Sequence, residues 1–389
     1  MYKRWSTLLC LGAFFACSMS VRAQPTRVEI PVLIPLTGGA AFIGQGELTT
    51  LKLIEAMTND HGGIRGRSIH FEIQDTQTNP AVAVQLANAL IAKKASVIVG
   101  PSFTSECLAV APLMASGPVN YCISPGISPA PRSYVYSAGL AGSDFPELLL
   151  RYFKSRHLAR IAFIASTDSS GQVFADNFDK TLARPEFRGI EIVARERFNV
   201  ADLTANAQLS RMKAAHPDVA IEWTVGTAQA TLLRGTQELG LNVPIVGGTG
   251  NTTYAQMALY KAFLPKELLF PTSTQTARGS IGPGPVRNAQ TAFFNAFKGV
   301  GVKPDFLNSG IWDPVMIILD AYRVLGPAAT ADQLQRYIQE LHGWVGITGI
   351  YDFRDKSQRG IGINAGIVVK WDPDKNDFVA VTRLGGHAK

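Results

Sequence analysis

The sequence has few cysteines, and only two of them lie beyond its apolar N-terminal stretch. Of the four cysteines, Cys10 and Cys17 fall in that stretch, which leaves Cys107 and Cys122 as a pair. No histidine neighbours either residue in the sequence, which argues against a zinc site. In an oxidising compartment the pair can form a disulfide that closes a loop of about 15 residues, or it can remain as two buried thiols.

Concentrated charge is also missing. Lys and Arg number 37 against 30 Asp and Glu, a formal charge of +7. Without the three basic residues of the first 23, the count is 34 against 30, or +4. The basic residues are scattered, whereas nucleic-acid-binding proteins cluster them on one face or helix. We therefore expect a solvated, slightly cationic surface and no nucleic-acid partner.

Signatures of catalysis and of nucleotide binding are absent from the sequence. The six histidines are not at metal-ligand spacing, and there is no Gly-x-Ser-x-Gly elbow. The glycine-rich segments 44–46 and 247–250 complete no dinucleotide fingerprint, and no Gly-Lys-Ser/Thr loop occurs. Asp168 with the serines after it is explained more simply as a helix N-terminus than as a catalytic group. We expect a non-catalytic protein without a cofactor or a metal.

The first 23 residues have the features of a secretory signal peptide. Two basic residues precede an apolar stretch over 8–19, and a small-residue cleavage site follows at 21–23. The apolar stretch is about a dozen residues, whereas a membrane-spanning helix needs roughly 20. Cleavage after Ala23 predicts an exported, periplasmic chain. A competing interpretation makes Cys17 a lipid attachment point, although an aromatic residue stands where a lipidation box usually has Leu.

Strand and helix patterns alternate through the rest of the chain. The predicted strands are 28–34, 69–74, 97–99 and 119–123 in a first half and 161–165, 190–194, 219–222 and 245–247 in a second. Helical periodicity fills the intervals between them. Such a series is typical of parallel sheets, so we predict an α/β fold with two similar halves.

The chain is long enough for more than one domain. Three segments, 137–144, 269–276 and 346–353, are candidates for crossing between the halves, and the helical stretch 286–341 should pack on the first half. We therefore divide the chain into a signal peptide (1–23), a first lobe (24–140 plus 274–346) and a second lobe (141–273 plus 347–389). Lobes joined by several segments can close as a hinge around a cleft.

Two neighbouring turns rich in hydroxyl groups mark the candidate binding site. One follows the run 97–99 and extends to Ser105, and the other follows the run 121–123 and extends to Ser128. Ligands of open α/β sheets bind in the crevice outside the carboxyl ends of the strands. The first turn leads into a predicted helix at Thr104, whose free N–H groups would face an anion. The pattern indicates a carboxylate pocket without a fixed positive charge.

A set of short motifs then identifies a family resemblance. In chain order they are Pro35-Leu36-Thr37-Gly38, Ile43-Gly44, Asn59-Asp60, Gly62-Gly63-Ile64, Asp75, Asn79-Pro80, Val99-Gly100-Pro101, Thr104-Ser105, Ser124-Pro125, and Gly346-Ile347-Thr348-Gly349 before Phe353. Together they resemble the leucine/isoleucine/valine-binding protein family, the type I periplasmic solute-binding proteins of ABC importers. The resemblance implies two Rossmann-like lobes joined by a three-strand hinge, with the ligand in the cleft. It also implies delivery to membrane permease and ATPase subunits.

The resemblance further implies roles for individual residues. The turn that carries Ser102, Phe103 and Thr104 would hold the ligand carboxylate, chiefly through the hydroxyl and amide of Thr104. The next turn would supply the carbonyl of Ile127 and the hydroxyl of Ser128. The side chains that cover the ligand from the loop after the first strand would be Phe42 and Ile43.

Two departures from the family pattern bear on the ligand. Ser170 stands where many amino-acid binders carry Tyr, and Thr249 stands where an acid meets the ligand's ammonium. An ammonium without an anionic partner in a closed cleft costs several kcal/mol of desolvation. We therefore expect an aromatic or aliphatic acid, with Phe42, Phe103 and Trp223 lining the apolar remainder. Glu222, at the end of a second-lobe strand, could replace the missing acid from another direction.

Other ligands and roles stay open at this point. A branched-chain amino acid or amide is the alternative ligand. A sensory role, in which the same lobes report to a membrane kinase or chemoreceptor, is the alternative function. In either case we expect a monomer.

Overall fold

The computed structural model describes residues 27–355 and 357–389. The predicted signal peptide and the alternative lipid site at Cys17 lie outside these residues. Within the described ranges, no helix is long and apolar enough to cross a membrane. This part of the chain forms two α/β lobes, as predicted, and each lobe is built on its own sheet.

The first lobe contains a five-stranded parallel sheet in the order β2-β1-β3-β4-β5. Its strands are β1 (Val28–Ile34), β2 (Ile69–Asp75), β3 (Val97–Val99), β4 (Val119–Cys122) and β5 (Val135–Ser137). Helices α1 (Ala41–Asp60), α2 (Pro80–Ala92) and α3 (Thr104–Val110) connect the first four strands. Because β1 and β3 are buried almost throughout, they appear in the sequence as continuous apolar runs. Strand β5 was not predicted, because three residues are too few to display a period.

The second lobe contains a seven-stranded sheet in the order β14-β13-β10-β9-β8-β6-β7. The parallel strands are β6 (Arg160–Ser166), β7 (Glu191–Phe198), β8 (Val219–Trp223), β9 (Ile245–Gly247) and β10 (Leu268–Ser273). Two strands near the C-terminus, β13 (Gly366–Asp372) and β14 (Asp377–Ala380), add an antiparallel edge. The lobe's helices are α4 (Asp144–Ser155), α5 (Ser169–Leu182), α6 (Asn206–Ala214), α7 (Thr227–Leu239) and α8 (Tyr254–Tyr260).

The helical stretch that follows β10 returns to the first lobe. It comprises α9 (Pro285–Phe297), α10 (Phe306–Gly310), α11 (Trp312–Leu325) and α12 (Ala331–Glu340). Phe293 and Trp312 share one buried cluster with residues of β1, β3 and β4. The antiparallel pair β11 (His342–Val345) and β12 (Ile350–Asp352) follows, and Tyr351 and Phe353 still belong to that cluster. The first lobe's core therefore extends past the boundary after residue 346 that the sequence suggested.

A buried carboxylate anchors the last of the expected crossing segments. Asp313, in α11, accepts hydrogen bonds from the N–H groups of Ile347 and Thr348, each at 2.9 Å, and from the Tyr351 hydroxyl at 3.0 Å. Burial raises the pKa of Asp313, although these hydrogen bonds oppose the rise. A Cβ added to Gly346 would lie 2.5 Å from a carboxylate oxygen of Asp313. The Gly-Ile-Thr-Gly motif thus wraps closely around this carboxylate.

We predict that Gly346→Ala destabilises the protein by about 1–3 kcal/mol, because the new methyl group overpacks the Asp313 contact. Gly299→Ala is the matched control, since a Cβ there meets nothing within 4 Å. Urea unfolding followed by circular dichroism measures both variants. Equal unfolding free energies for the two would contradict this account of the motif.

Cys107 and Cys122 are joined by a disulfide bond, with 6.0 Å between their Cα atoms. The bond connects α3 to the end of β4, and both cysteines are fully buried. It therefore links the two elements that border the hydroxyl-rich turns. A closed loop of 15 residues is expected to add about 3 kcal/mol to stability in the chain-entropy model.

We predict that the mature protein, purified under oxidising conditions and denatured, exposes no thiol to Ellman's reagent until it is reduced. The free energy of unfolding of the reduced protein should be about 3 kcal/mol lower than that of the oxidised protein. The double variant Cys107→Ala/Cys122→Ala should show the same loss and no response to reductant. Titratable thiols in the oxidised wild-type protein would refute the assignment.

Candidate functional site

A cavity of about 100 Å³ lies between the lobes at the carboxyl ends of the parallel strands. Both lobes contribute to its lining. Seven of the residues predicted from the sequence line it: Ile43, Ser102, Phe103, Thr104, Ser170, Trp223 and Thr249. Most of the predicted residues therefore lie at this cavity, although they form only a third of its lining.

The loop after β1 directs the start of α1 towards this cavity. Asp75, at the end of β2, accepts hydrogen bonds from the N–H of Leu36 at 2.8 Å and from the Thr37 hydroxyl at 2.6 Å. Burial alone would raise the pKa of Asp75, but these bonds and one from Gln77 outweigh it and hold the pKa below its usual value. An ionised Asp75 fixes the loop, so that Ile43 projects into the cleft.

The first lobe supplies a group of hydroxyls at the ends of β3 and β4. The Oγ1 of Thr104 and the Oγ of Ser124 lie 2.8 Å apart, and both residues line the cavity. A Cβ on Gly126 would lie only 2.5 Å from Thr104 Oγ1, so this turn can approach the threonine only with glycine at that position. The two turns singled out in the sequence thus meet, as expected from neighbouring parallel strands.

Three of the predicted contact residues do not line the cavity. Phe42 lies at the edge of the cleft, where its ring would be 3.2 Å from a Cβ on Gly226 of the second lobe. Ile127 is buried in a hydrophobic cluster with Cys107 and Val110, and Ser128 is exposed. Because β4 ends at Cys122, the residues immediately after it, 124–126, face the cavity. The part of this turn that lines the cavity is therefore 124–126, and Ile127 and Ser128 lie outside the lining.

The second lobe presents an aromatic wall. Trp223, at the end of β8, stacks flat on Phe174 of α5, with ring centroids 3.4 Å apart and planes at 2°. Phe145 of α4 lies 6.1 Å from Trp223, also between centroids. Thr249 adds a hydroxyl oxygen that is buried without a hydrogen-bond partner in the described chain. This wall therefore offers large apolar area and a single unsatisfied polar atom.

Ser170 borders the same wall at the start of α5. The side chain of Asp168 caps this helix by accepting from the N–H of Gly171 at 2.9 Å. Asp168 therefore serves as a helix cap, as the sequence indicated. The cap leaves the Ser170 side chain at the cavity.

Glu222 does not face the cavity. Its carboxyl group accepts hydrogen bonds from Thr236 at 2.5 Å and from Gln229 at 3.3 Å, both on α7. Burial raises the pKa of Glu222 to about 7, although the Thr236 hydrogen bond opposes this. The residue is therefore a buried group of the second lobe beneath the wall.

The acid that does line the cavity, Glu47, was missed in the sequence. Its Oε2 accepts a hydrogen bond from Ser102 at 2.6 Å, and the residue is 2% exposed. Burial raises the pKa of Glu47 to about 8, with Ser102 opposing the shift and Glu106 adding to it. Glu47 lies four residues after Ile43, on the same face of α1. That spacing is the signal that could have found it.

Arg359 was also missed, and it supports the second turn from behind. Its buried guanidinium donates to the carbonyl oxygen of Pro125 at 2.9 Å and to that of Ile127. It donates as well to the carbonyls of Ala138 at 3.2 Å and Leu140 at 3.1 Å. Burial lowers the pKa of Arg359 to about 10, while attraction to Asp144 opposes the shift. Arg359 therefore links the turn after β4 to the crossing segment 137–144.

The lobes also touch away from the cavity. The N–H of Tyr254 in α8 donates to Oδ2 of Asp305, which caps α10 on the first lobe, at 3.1 Å. Lys303 Nζ lies 3.4 Å from Oδ2 of Asp377 on the second lobe. Polar contacts therefore join the two lobes directly, outside the cavity.

Comparison with known proteins agrees with this architecture. The chain matches the family described as "Periplasmic binding protein" over residues 27–376. It is similar to the Leu/Ile/Val-binding protein BraC3 of Rhizobium johnstonii, with 24% identity over 231 residues. That match covers 57% of this chain and 61% of the relative, so it spans less than two thirds of the relative's length.

Two solved structures share the fold. The substrate-binding protein LivJ of a branched-chain amino acid transporter from Streptococcus pneumoniae, in complex with isoleucine, matches with a TM-score of 0.75 at 18% identity, covering 92% of this chain and 99% of its own. An ABC transporter solute-binding protein from Rhodopseudomonas palustris, in complex with benzoate, matches with a TM-score of 0.77 at 15% identity, covering 94% and 98%. With the family match spanning most of its length, this chain belongs to the periplasmic binding protein family.

Proposed function

We propose that this protein captures a small carboxylate in the periplasm by closing its two lobes, and delivers it to the permease of an ABC importer. The favoured ligands are aromatic or aliphatic acids. The observation that carries the proposal is the division of the cavity, with hydroxyl groups on one lobe and an aromatic wall on the other. The protein would act as a monomer and without chemistry on its ligand.

The first-lobe hydroxyls support a carboxylate. Ser102, Thr104 and Ser124 converge on the cavity. Ser102 donates to Glu47, and Thr104 and Ser124 share one hydrogen bond, so one of these two hydroxyls keeps a hydrogen that it can turn towards an anion. Hydrogen bonds to an ionised acceptor are roughly twice as strong as neutral ones, so such a donor can help to hold a carboxylate without a basic side chain. No Lys, Arg or His is among the described residues that line the cavity.

The aromatic wall of the second lobe favours a ligand that is apolar and flat apart from its carboxylate. Trp223, Phe174 and Phe145 offer ring faces and edges, and pockets of this kind are mostly apolar with a few placed polar groups. Thr249 stands where the family's amino-acid binders have an acid, and it is uncharged. An ammonium group against this wall would lose its hydration without gaining an anion. Both solved relatives named above have this fold, one with isoleucine and one with benzoate, so the fold does not decide between these classes.

Glu47 favours a second candidate, a branched-chain amino acid. Its carboxyl group reaches the cavity from the first lobe and, once ionised, could balance an ammonium. Burial raises its pKa to about 8, so this use requires the bound ammonium to displace a proton. The aromatic or aliphatic acid requires no such displacement, and we rank it first.

We predict that an acid stabilises the protein in a thermal-shift screen and that leucine and valine do not. The protein is first unfolded and refolded to remove any bound ligand, and is then screened with benzoate, 4-hydroxybenzoate, phenylacetate and butyrate beside the two amino acids. A ligand at 100 times its Kd adds about 2.7 kcal/mol, which raises Tm by several degrees. Strong stabilisation by leucine or valine, with none by the acids, would reverse the ranking.

We predict that Thr104→Val, which keeps the side chain's shape but removes its hydroxyl, weakens binding of the stabilising acid about 10-fold or more, because a hydrogen bond to a charged group contributes about 1.5–3 kcal/mol. Isothermal titration calorimetry measures the change. Thr291→Val, on the exposed face of α9, is the control and should bind as the wild type does. Without ligand, Thr104→Val should melt within a few degrees of the wild type. A collapse of the ligand-free fold would show that the residue is structural instead.

A further inference from the structure

Glu47 is the one acidic side chain among the described residues that line the cavity. It projects from α1 beside the hydroxyls that the proposed function assigns to the ligand's carboxylate. One carboxyl oxygen, Oε2, accepts from Ser102 at 2.6 Å, and the described residues give this carboxyl group no other hydrogen-bond partner. The second oxygen is therefore left for whatever enters the cavity.

Among the residues that the structure describes, acids surround Glu47 and no cation pairs with it. Its helix packs against β2, against α10 and beside the turn that precedes α3. The titratable and charged groups on these elements are Lys52, Glu55 and Asp60 on α1, His70, Glu72 and Asp75 on β2, Glu106 on α3 and Asp305 at the cap of α10.

Most of these groups are engaged elsewhere. His70 lies 3.2 Å from Glu55, Asp75 binds the loop after β1, and Asp305 accepts from Tyr254. Lys52 is exposed to solvent. Only Glu106 exerts a resolved charge effect on Glu47, and it acts against ionisation. A second negative charge in the cavity would therefore meet no compensating cation if Glu47 were ionised.

We propose that Glu47 is a specificity-determining residue, which meets the ligand's carboxylate as an uncharged carboxylic acid and donates its proton in a hydrogen bond to it. The inference rests on the proposed function. It adds that the protein recognises a carboxylate together with one bound proton. An amino acid would instead require the ionised form of Glu47, because its ammonium group needs an anionic partner.

The two ligand classes consequently differ in the sign of their pH dependence. Burial raises the pKa of Glu47 to about 8, so the residue is mostly protonated at pH 7. A carboxylate that binds only the protonated form keeps its affinity below pH 8 and loses about tenfold per pH unit above it. An amino acid that needs the ionised form gains affinity as the pH rises towards 8 and then levels off.

The experiment is calorimetric titration of benzoate, and in parallel of leucine, between pH 6 and 9.5. The other acids of the thermal-shift panel replace benzoate if one of them binds better. Buffers of different ionisation enthalpy give the number of protons taken up or released. For the wild type we expect benzoate affinity to be constant up to pH 7.5 and to fall by more than tenfold at pH 9.5, with proton uptake near pH 8.5.

Variants separate this role from a structural one. Glu47→Gln keeps a donor of the same shape, so it should bind benzoate at pH 7 within about threefold of the wild type and show no decline up to pH 9.5. Glu47→Leu lacks the donor and should bind about tenfold more weakly at pH 7. Glu222→Gln replaces another buried acid, which does not face the cavity, and should keep the wild-type pH profile. The ligand-free Tm of each variant reports whether it folds.

The outcomes are distinct. A flat pH profile in the wild type, or a decline that persists in Glu47→Gln, overturns the role of Glu47 while benzoate binding leaves the proposed function standing. Binding of leucine alone, with proton release and rising affinity up to pH 8, overturns both the acid ligand and this inference. Failure of every acid and of leucine to bind would do the same.

Discussion

One buried guanidinium, that of Arg359, joins the turn after β4 to a segment that crosses between the lobes. Arg359 loses its hydration in the interior, and only a full set of acceptors can offset that cost. The carbonyls of Pro125 and Ile127 come from the turn after β4, and those of Ala138 and Leu140 come from the chain as it leaves for the second lobe. Arg359 is thus a donor that these carbonyls share. The shape of the cleft therefore depends on a residue that does not line the cavity.

The neighbouring segment strengthens the same junction. Gln358 accepts from the N–H of Ser137 through its backbone carbonyl at 3.0 Å, and its side chain donates to the carbonyls of Ser133 and Val135. The chain at 358–359 thus runs along β5 and completes the edge of the first sheet. Together with the disulfide beside the two turns, this arrangement cross-links the hydroxyl side of the cleft. The aromatic side belongs to the second lobe, so the proposed closure would bring a polar surface against an apolar one.

The sequence predicted the strands and the two turns because both are local features. Buried strands such as β1 and β3 consist almost entirely of apolar residues, so their burial can be predicted from their own sequence. Turns rich in Ser, Gly and Pro mark the ends of strands independently of the rest of the fold. Glu47 and Arg359 escaped for the opposite reason. From sequence alone, a glutamate in a helix or an arginine in a loop is expected to be exposed to solvent. Whether such a side chain is buried depends on how segments distant in the sequence pack around it. The strand β5 is too short to show a period, and β13 joins its sheet through β10, which lies much earlier in the chain.

The stack of Trp223 on Phe174 has a spectroscopic consequence. The indole forms part of the cavity wall, whereas the other described tryptophans lie elsewhere, Trp312 and Trp344 with the first-lobe core and Trp371 in the core of the second. Its fluorescence should therefore respond to an occupant of the cavity, against a steady background from the rest. The protein carries an intrinsic optical reporter at the surface where a ligand would rest, and no dye or label need be attached to follow its occupancy.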